Sequence, residues 1–255
     1  MSQFAINPDV SDDEARALVD AATWYHSFEL RPGLVTKGTS KMNPAAALNA
    51  LGVPEDLTGL KALDIGAWDG PLTFELERRG AEAHALDIQD PDRVGFNTAK
   101  RIIGSRATHT QASCMDLPLD DLKDFDIVLF RGVFYHLKGP PIAFEAIANS
   151  MKTGGMVYFA GEGLINYAQD LEGNRLDIDI RALNDTGVPI ALSYPGRYRA
   201  GNSWFIPNIH CLRGWVESAG FEVVDIWGTD EAAEGQRLAG SARKVRSARE
   251  EHPIY

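Results

Sequence analysis

Apolar and polar positions alternate along the chain in two ways, and each way predicts one kind of element. Short apolar runs that end at Gly or Asp are typical of strands buried in a parallel sheet. Four of them follow one another from Lys61 onwards: KALDI, AHALDI, FDIVLF and MVYFA. The stretches PLTFELERRG and PIAFEAIANSMKTGG between them carry apolar residues at helical spacing. Strands that alternate with helices predict an α/β fold with helices on both faces of the sheet.

The first part of the chain predicts a helix followed by an arm. Ser11 and Glu14 stand three residues apart in the capping-box pattern, and apolar residues follow at helical spacing. The next stretch, TWYHSFELRPGLVTKG, is broken by Pro32, Gly33 and Gly38, which favours a strand or arm over the core. We therefore divide the chain into an N-terminal helix and arm, 1–56, and a main domain, 57–255.

The last third of the chain is less regular. Residues 163–204 are too long for a simple loop and predict a lid or an insertion that binds substrate. Residues 207–220 predict a helix, and FEVVDI after them predicts a strand. Residues 228–255 show no clear final strand, and the basic stretch 236–250 is interpreted as a solvated helix.

Composition narrows the class of protein. Of the 255 residues, 44% are hydrophobic and 24% are charged, which is ordinary for a folded domain. Two distant cysteines, Cys114 and Cys211, exclude a disulfide framework and a cysteine zinc motif, and we expect no metal. No apolar run approaches the length of a spanning helix, and the acidic start is unlike a signal peptide, so a cytoplasmic location without membrane attachment is expected.

The charge balance bears on partners. The formal net charge is -11, which repels polyanions and makes nucleic acid a disfavoured partner. The stretch 236–250 nevertheless carries five of the 25 Lys and Arg residues, so RNA stays open as an alternative. A homo-oligomer formed through the aromatic arm around Trp24 also stays open.

Candidate chemistry gathers where strands end, which is where open α/β sheets bind ligands. The strand from Leu63 stops at Gly66 and Gly70, just before a helix that begins near Pro71. Asp87 ends the next strand, 21 residues after Gly66 (87 − 66), where a carboxylate can accept hydrogen bonds from ribose hydroxyls. This pairing predicts a cofactor that contains a nucleoside.

The form of the glycine loop selects among such cofactors. Trp68 occupies the second glycine position of the dinucleotide fingerprint, which obstructs the close approach of a pyrophosphate. The motifs of P-loop enzymes, zinc metalloproteases and α/β hydrolases do not occur in the sequence. A cofactor with adenosine but without phosphates fits better.

The sequence LDIGAWDG, followed by ALDI, SCMDLP, FDIVLFRGVFYHLKGPP and MVYFAGE, resembles the class I S-adenosylmethionine (SAM)-dependent methyltransferases. The resemblance is closer to the bacterial tRNA wobble-uridine (carboxy)methyltransferases, through GVFYH, Glu162 and RYRAGNSWFIPNIHCLRGWVESAGF. It implies a Rossmann-like sheet of seven strands and SAM as the cofactor.

The resemblance also implies roles for particular residues. Asp87 would hold the ribose and Ile88 would cover the adenine. Met115 and Asp116 would also sandwich the adenine. Tyr135 would face the reactive end, where that family holds the extra carboxylate of carboxy-SAM. The full set of cofactor residues implied is Asp64, Gly66, Ala67, Trp68, Gly70, Asp87, Ile88, Met115, Asp116, Phe130, Arg131, Gly132 and Tyr135.

Three departures from the family bear on the substrate. The Trp68 ring must point away from the ligand or form part of the pocket wall. The RNA enzymes have a larger N-terminal region and a C-terminal arginine for the carboxylate, and the sequence alone offers no recognisable equivalent. Leu137 and Lys138 stand where the RNA enzymes have a pair of basic residues. Plain SAM is therefore predicted over carboxy-SAM.

Catalysis would need a base if the methyl acceptor is a hydroxyl. His136 follows the cofactor strand and titrates near neutrality, and Glu162 is the alternative; a purely structural role stays open for each. His84, inside a strand, is interpreted as structural. The residues expected to touch substrate are Tyr25, His26, Lys41, Tyr194, Tyr198 and His210.

The sequence favours O-methylation of a small molecule such as a sugar or secondary metabolite. Methyl or carboxymethyl transfer to the wobble uridine of tRNA is the alternative. A SAM-binding regulatory module without turnover is a further one.

Overall fold

The computed structural model describes residues 4–198, 201–231 and 235–246, and these fall into two compact units. The first unit is Met1–Cys114 and the second is Met115–Tyr255. The predicted boundary near residue 56 separates the N-terminal helix and arm from the methyltransferase-like part of the chain, and it stays a prediction.

The first unit contains the predicted helix and arm, followed by alternating strands and helices. Its elements are α1 (Asp12–Ala21), β1 (His26–Ser27), β2 (Glu29–Arg31), β3 (Leu34–Val35), β4 (Ser40–Lys41), α2 (Pro44–Ala50), β5 (Lys61–Ile65), α3 (Pro71–Arg78), β6 (Glu82–Asp87), α4 (Phe96–Ile103) and β7 (Thr108–Gln111). Strand β6 lies between β5 and β7, parallel to both. The arm forms two small sheets, β1 with β4 and β2 with β3.

Local sequence explains where these elements begin. The Ser11 side chain accepts a hydrogen bond from the Glu14 N–H at the start of α1, as the capping pattern predicted. Gly70, at φ +84°, precedes α3, and a Cβ there would lie 2.6 Å from the Phe96 ring. Only glycine satisfies both conditions, so the turn from β5 into α3 depends on Gly70.

The second unit continues the alternation and adds an antiparallel edge. Its elements are β8 (Phe125–Arg131), α5 (Pro140–Ser150), β9 (Met151–Glu162), α6 (Ile180–Asp185), β10 (Ala191–Tyr198), β11 (Ser203–Pro207), α7 (Ile209–Ser218), β12 (Phe221–Glu231) and β13 (Gly235–Lys244). Strand β8 is parallel to β9, and β13 lies antiparallel between β9 and β12. With β5, β6 and β7, these strands give the seven-stranded α/β fold that was predicted.

The prediction for the end of the chain was wrong. Residues 235–244 form strand β13, not a solvated helix, and pair with β12 in an antiparallel hairpin; residues 247–250 lie outside the described part. Leu238 and Ala242 are buried, and a Cβ at Gly240 would lie 2.7 Å from the Phe159 ring. An inner strand between close neighbours needs small residues, and this small-residue composition concealed the strand in the sequence.

The predicted insertion contains more regular structure than expected. Residues 163–204 include α6 and β10, and β10 pairs with β11 as an antiparallel hairpin. The helix predicted after Pro207 is present as α7. Within the described ranges, none of the helices has the length and apolar character needed to cross a membrane.

A buried arginine fixes the end of α3 to the preceding helix. Arg79 is 3% exposed, and its guanidinium donates to Glu75, to the carbonyl groups of Val53 and Ala45, and to Asn49. One side chain therefore satisfies acceptors from α2, from the segment after it and from α3 itself. This network anchors the C-terminal end of α3, the end opposite the glycine-rich turn at Gly70.

We predict that Arg79→Met lowers the free energy of unfolding by about 3 kcal/mol, the low end for breaking a buried charge network, because Arg78 still pairs with Glu75. Urea denaturation measures the change. The control is Arg93→Met, which removes an exposed ion pair with Asp90 and should change stability by less than about 0.5 kcal/mol. Equal effects of the two substitutions would contradict the role given to Arg79.

Candidate functional site

The loop between β5 and α3 has an unusual backbone. Gly66 and Gly70 have φ angles of +78° and +84°, and Trp68 between them has φ +50°. The Gly66 N–H donates to the Leu86 carbonyl at 2.8 Å, which ties the loop to β6. A bulky residue in the left-handed region is uncommon and persists only where its surroundings hold it. We call residues 66–70 the glycine loop.

Asp87 connects the glycine loop to the end of β6. The side chain is 6% exposed; Oδ2 accepts the Trp68 N–H at 2.8 Å and Oδ1 accepts the Gln89 N–H at 2.8 Å. Each carboxylate oxygen can accept a second hydrogen bond. Ile88, the next residue, is 66% exposed. The β6 end therefore offers acceptors beside an exposed apolar surface, as ribose and adenine require.

Asp64 is buried near the end of β5 and accepts a 2.7 Å hydrogen bond from the Thr73 hydroxyl. Burial raises the pKa of Asp64 to about 6, and the Thr73 hydrogen bond opposes the shift. The group is therefore a carboxylate at neutral pH and gains a proton in weak acid. Its hydrogen bond connects β5 to α3, the two elements that the glycine loop joins.

The arm reaches the glycine loop through Asp69, a residue that sequence reasoning did not select. Asp69 is completely buried; its Oδ2 accepts the N–H groups of Tyr25 and His26 at 2.9 and 2.8 Å, and its Oδ1 pairs with His26 Nδ1. The Tyr25 ring lies 5.1 Å from the Trp68 ring, so the arm packs against the glycine loop at this point. The expectation that the Trp68 ring points away from the ligand or forms part of the pocket wall stays a prediction. Lys41, on β4, is exposed.

The predicted cofactor residues of the second unit lie in two short segments, 115–116 and 130–135. Gly132, at φ +78°, donates its N–H to the Ala160 carbonyl at 2.7 Å, and Tyr135 in the following 3-10 turn is 8% exposed. Phe130 is fully buried against Phe134 and Phe144, so only its backbone can face a ligand. The remaining three are Met115, half-buried, Asp116, exposed, and Arg131, half-buried.

His136 and Glu162, the two candidate bases, interact in the second unit. His136 has a backbone hydrogen bond with Asn202, and Glu162 accepts the Ser203 hydroxyl at 3.1 Å. Strand register places Arg237 of β13 opposite Glu162. Within the described residues, His136 Nδ1 is buried and has no hydrogen-bond partner.

Burial dominates the protonation of His136. It lowers the pKa of His136 below 6.5, and the charge of Arg237 lowers it further, whereas the Asn202 hydrogen bond and the charge of Glu162 raise it. The ring is therefore predominantly neutral at pH 7. A neutral imidazole can accept a proton, so His136 has the protonation state that a base requires.

The tyrosines expected to touch substrate line a small cavity. Tyr194 and Tyr198 stack with ring centres 4.4 Å apart, and their hydroxyls donate to the carbonyl and side-chain oxygens of Gln169 at 2.7 and 2.5 Å. The cavity has a volume of about 40 Å³, and Glu162 also lines it. That volume is enough for water molecules.

Two further histidines, His210 and His84, form hydrogen bonds within the protein. His210 bonds to the Asn184 carbonyl at 2.9 Å, which links α7 to the end of α6. His84 bonds to Thr110 and Thr108, at 2.9 and 2.6 Å, as expected for a structural residue. The predicted contact of His210 with substrate stays a prediction.

Comparison with known proteins agrees with this geometry. Residues 63–159 match the family model described as a methyltransferase domain. Among solved structures, the N-terminal domain of EvdMO1 with S-adenosylhomocysteine (SAH) bound aligns with a TM-score of 0.63 and 19% identity, over 93% of this chain and 99% of that one. The 1,6-didemethyltoxoflavin-N1-methyltransferase of Burkholderia thailandensis aligns with a TM-score of 0.56 and 18% identity, over 85% and 78%.

The chain therefore contains a methyltransferase domain with the class I, SAM-dependent fold, as the sequence predicted. Within that class, it is similar to the tRNA U34 carboxymethyltransferases. The one from Aeromonas hydrophila subsp. hydrophila is 30% identical over 174 residues, 67% of this chain and 47% of the relative. The one from Pseudomonas paraeruginosa is 29% identical over 171 residues, 65% and 46%. The chain spans about half the length of these curated relatives.

We predict that the His136 ring titrates with a pKa below 6.5, measured by NMR from its ring C–H signals and assigned with His136→Gln. Glu162→Gln should lower the pKa further, because it removes a negative charge that favours the imidazolium. Arg237→Gln should raise it, because it removes a repelling positive charge. Shifts in the same direction for both variants, or a wild-type value above 6.5, would contradict this electrostatic arrangement.

Proposed function

We propose that the protein transfers the methyl group of SAM to a hydroxyl of a small molecule. The observation that carries the proposal is the contact between the glycine loop and Asp87: a left-handed turn with a buried carboxylate at the next strand end. This arrangement suits an adenosine cofactor without phosphates. Bound SAM supplies a methyl group already activated by its sulfonium.

In this proposal the first unit holds the cofactor. The second lone pairs of Asp87 accept the ribose hydroxyls, Ile88 lies against the adenine, and the backbone of the glycine loop follows the methionine part. Methyl transfer needs alignment and exclusion of water more than covalent help from the protein. The expected cofactor residues of the second unit, including Tyr135, stay predictions.

In the same proposal, residues of the second unit orient the methyl acceptor and take up its proton. His136 accepts the hydroxyl proton at Nδ1, the nitrogen that is buried and has no hydrogen-bond partner in the described part of the chain. Glu162 then raises the proton affinity of the ring and orients the acceptor. The net charge of -11 favours a neutral or cationic acceptor over a polyanion.

One fold neighbour supports sugars as a class to test first. The EvdMO1 domain was also solved in the presence of SAH and D-fucose, with a TM-score of 0.62 to this chain. Turnover with a hydroxylated acceptor separates this proposal from a SAM-binding module without catalysis.

The second candidate is carboxymethyl transfer to the wobble uridine of tRNA. Besides the similarity to the U34 enzymes, the position of Arg237 favours carboxymethyl transfer. The charge of Arg237 acts on His136, and the His136 ring lies 4.1 Å from the Tyr135 ring. The family resemblance assigns the extra carboxylate of carboxy-SAM to this tyrosine and to an arginine. Arg237 is a candidate for that arginine, which the sequence alone did not reveal.

We predict that Asp87→Ala weakens SAH binding by about 1–3 kcal/mol, because the ribose hydroxyls lose a charged acceptor. Isothermal titration calorimetry measures the loss, and Asp87→Asn, which retains one acceptor oxygen, should lose less. Asp92→Ala, an exposed aspartate beyond the strand end, is the matched control. Unchanged affinity in Asp87→Ala would remove Asp87 from the cofactor site.

We also predict that the wild type binds carboxy-SAM no more tightly than SAM in the same titration, as ordinary methyl transfer requires. A preference for carboxy-SAM of tenfold or more, lost in Arg237→Gln, would make carboxymethyl transfer the function instead. Arg243→Gln is the matched control, since Arg243 is exposed on the same strand. The comparison therefore decides between the two candidate reactions.

A further inference from the structure

Asp69 lies in the glycine loop, yet its carboxylate accepts hydrogen bonds from the arm. Two backbone N–H groups, of Tyr25 and His26, and the His26 ring converge on its two carboxylate oxygens. The carboxylate is completely buried. The contact therefore joins parts of the chain that are 43 and 44 residues apart.

Burial makes this contact obligatory. A carboxylate removed from water without hydrogen-bond donors is strongly unfavourable. Asp69 can remain inside only while the arm supplies its donors. Conversely, Tyr25 and His26 would lose the acceptor for their backbone N–H groups if the glycine loop moved. The arm and the loop thus hold each other in place.

Two connections lead from this contact to Asp87. Trp68, the neighbour of Asp69 in the chain, donates its N–H to Asp87 Oδ2, and its ring packs against Tyr25. Trp68 also has the positive φ angle that an L residue adopts only when its surroundings impose it. Release of the arm would remove both the Tyr25 ring and the anchor at Asp69, and Trp68 would be free to relax.

We infer that Asp69 is a positioning residue that couples docking of the arm to the conformation of the glycine loop that binds the cofactor. The inference rests on the cofactor binding proposed above. Because such coupling is reciprocal, cofactor binding stabilises the docked arm and a docked arm tightens cofactor binding. The arm then acts on the cofactor through the loop, in addition to any contact of Tyr25 or His26 with substrate.

Hydrogen exchange read by mass spectrometry, combined with calorimetry, tests the coupling in the full chain. In the wild type, SAH should slow exchange in peptides that cover residues 23–42. In Asp69→Ala the arm should exchange faster without ligand, SAH should no longer protect it, and the Kd for SAH should rise by about tenfold or more. Asp69→Asn, which keeps an acceptor oxygen, should recover part of the affinity.

A milder variant guards against loss of folding. His26→Phe keeps both backbone hydrogen bonds to Asp69 and removes only the ring contact, so we expect a smaller rise in Kd in the same direction. Arg79→Met serves as the control for stability alone, because the hydrogen bonds of the Arg79 side chain go to Glu75 and to residues 45–54, outside both the arm segment 23–42 and the glycine loop. Its Kd should stay within about twofold of the wild type.

The outcomes separate this inference from the proposed function. If the wild type binds no SAH, the result contradicts both the proposed function and the coupling. If the wild type binds SAH but Asp69→Ala and His26→Phe bind it equally well, or SAH protects the arm equally in all three proteins, only the coupling is overturned. A Kd raised in Arg79→Met as much as in Asp69→Ala would show a general effect of stability and would also overturn it.

Discussion

The turn from β5 into α3 is the constraint on which the first unit depends. Within five residues the chain must leave a buried strand and enter a helix, and it does so with positive φ angles at Gly66, Trp68 and Gly70. Glycine adopts such angles at no steric cost, but a tryptophan is strained by about 1–2 kcal/mol. Two buried carboxylates compensate for this strain, Asp87 through the Trp68 N–H and Asp69 through the arm.

Much of this architecture was predictable because it has a local cause. Short apolar runs give the parallel strands, the Ser11 cap gives α1, and the glycines mark the loop. Asp69 was not predictable, since its donors lie far away in the sequence and an aspartate in a glycine-rich turn looks like any solvated residue. Strand β13 was missed for a different reason: its buried positions include Gly240 and Ala242, which carry almost no hydrophobic signal.

The candidate catalytic site of the second unit was predictable only in part. His136 and Glu162 follow strand ends and could be selected by position, whereas Arg237 enters through a strand that the sequence did not reveal. Opposed charges of Glu162 and Arg237 act on one imidazole that burial already holds neutral. The protonation state of the site is thus a balance of burial and two charges, and no one of these can be read from local sequence.

The position of β13 has a consequence for how the protein is made. Strand β13 pairs with β9 on one side and with β12 on the other, although it follows both in the chain. The edge of β9 therefore stays unpaired while the 73 residues from Glu162 to Gly235 (235 − 162) are synthesised. At typical translation speeds that interval is roughly 4–15 s. During this time the nascent chain presents an open strand edge, and such an edge is a template for pairing with the wrong strand.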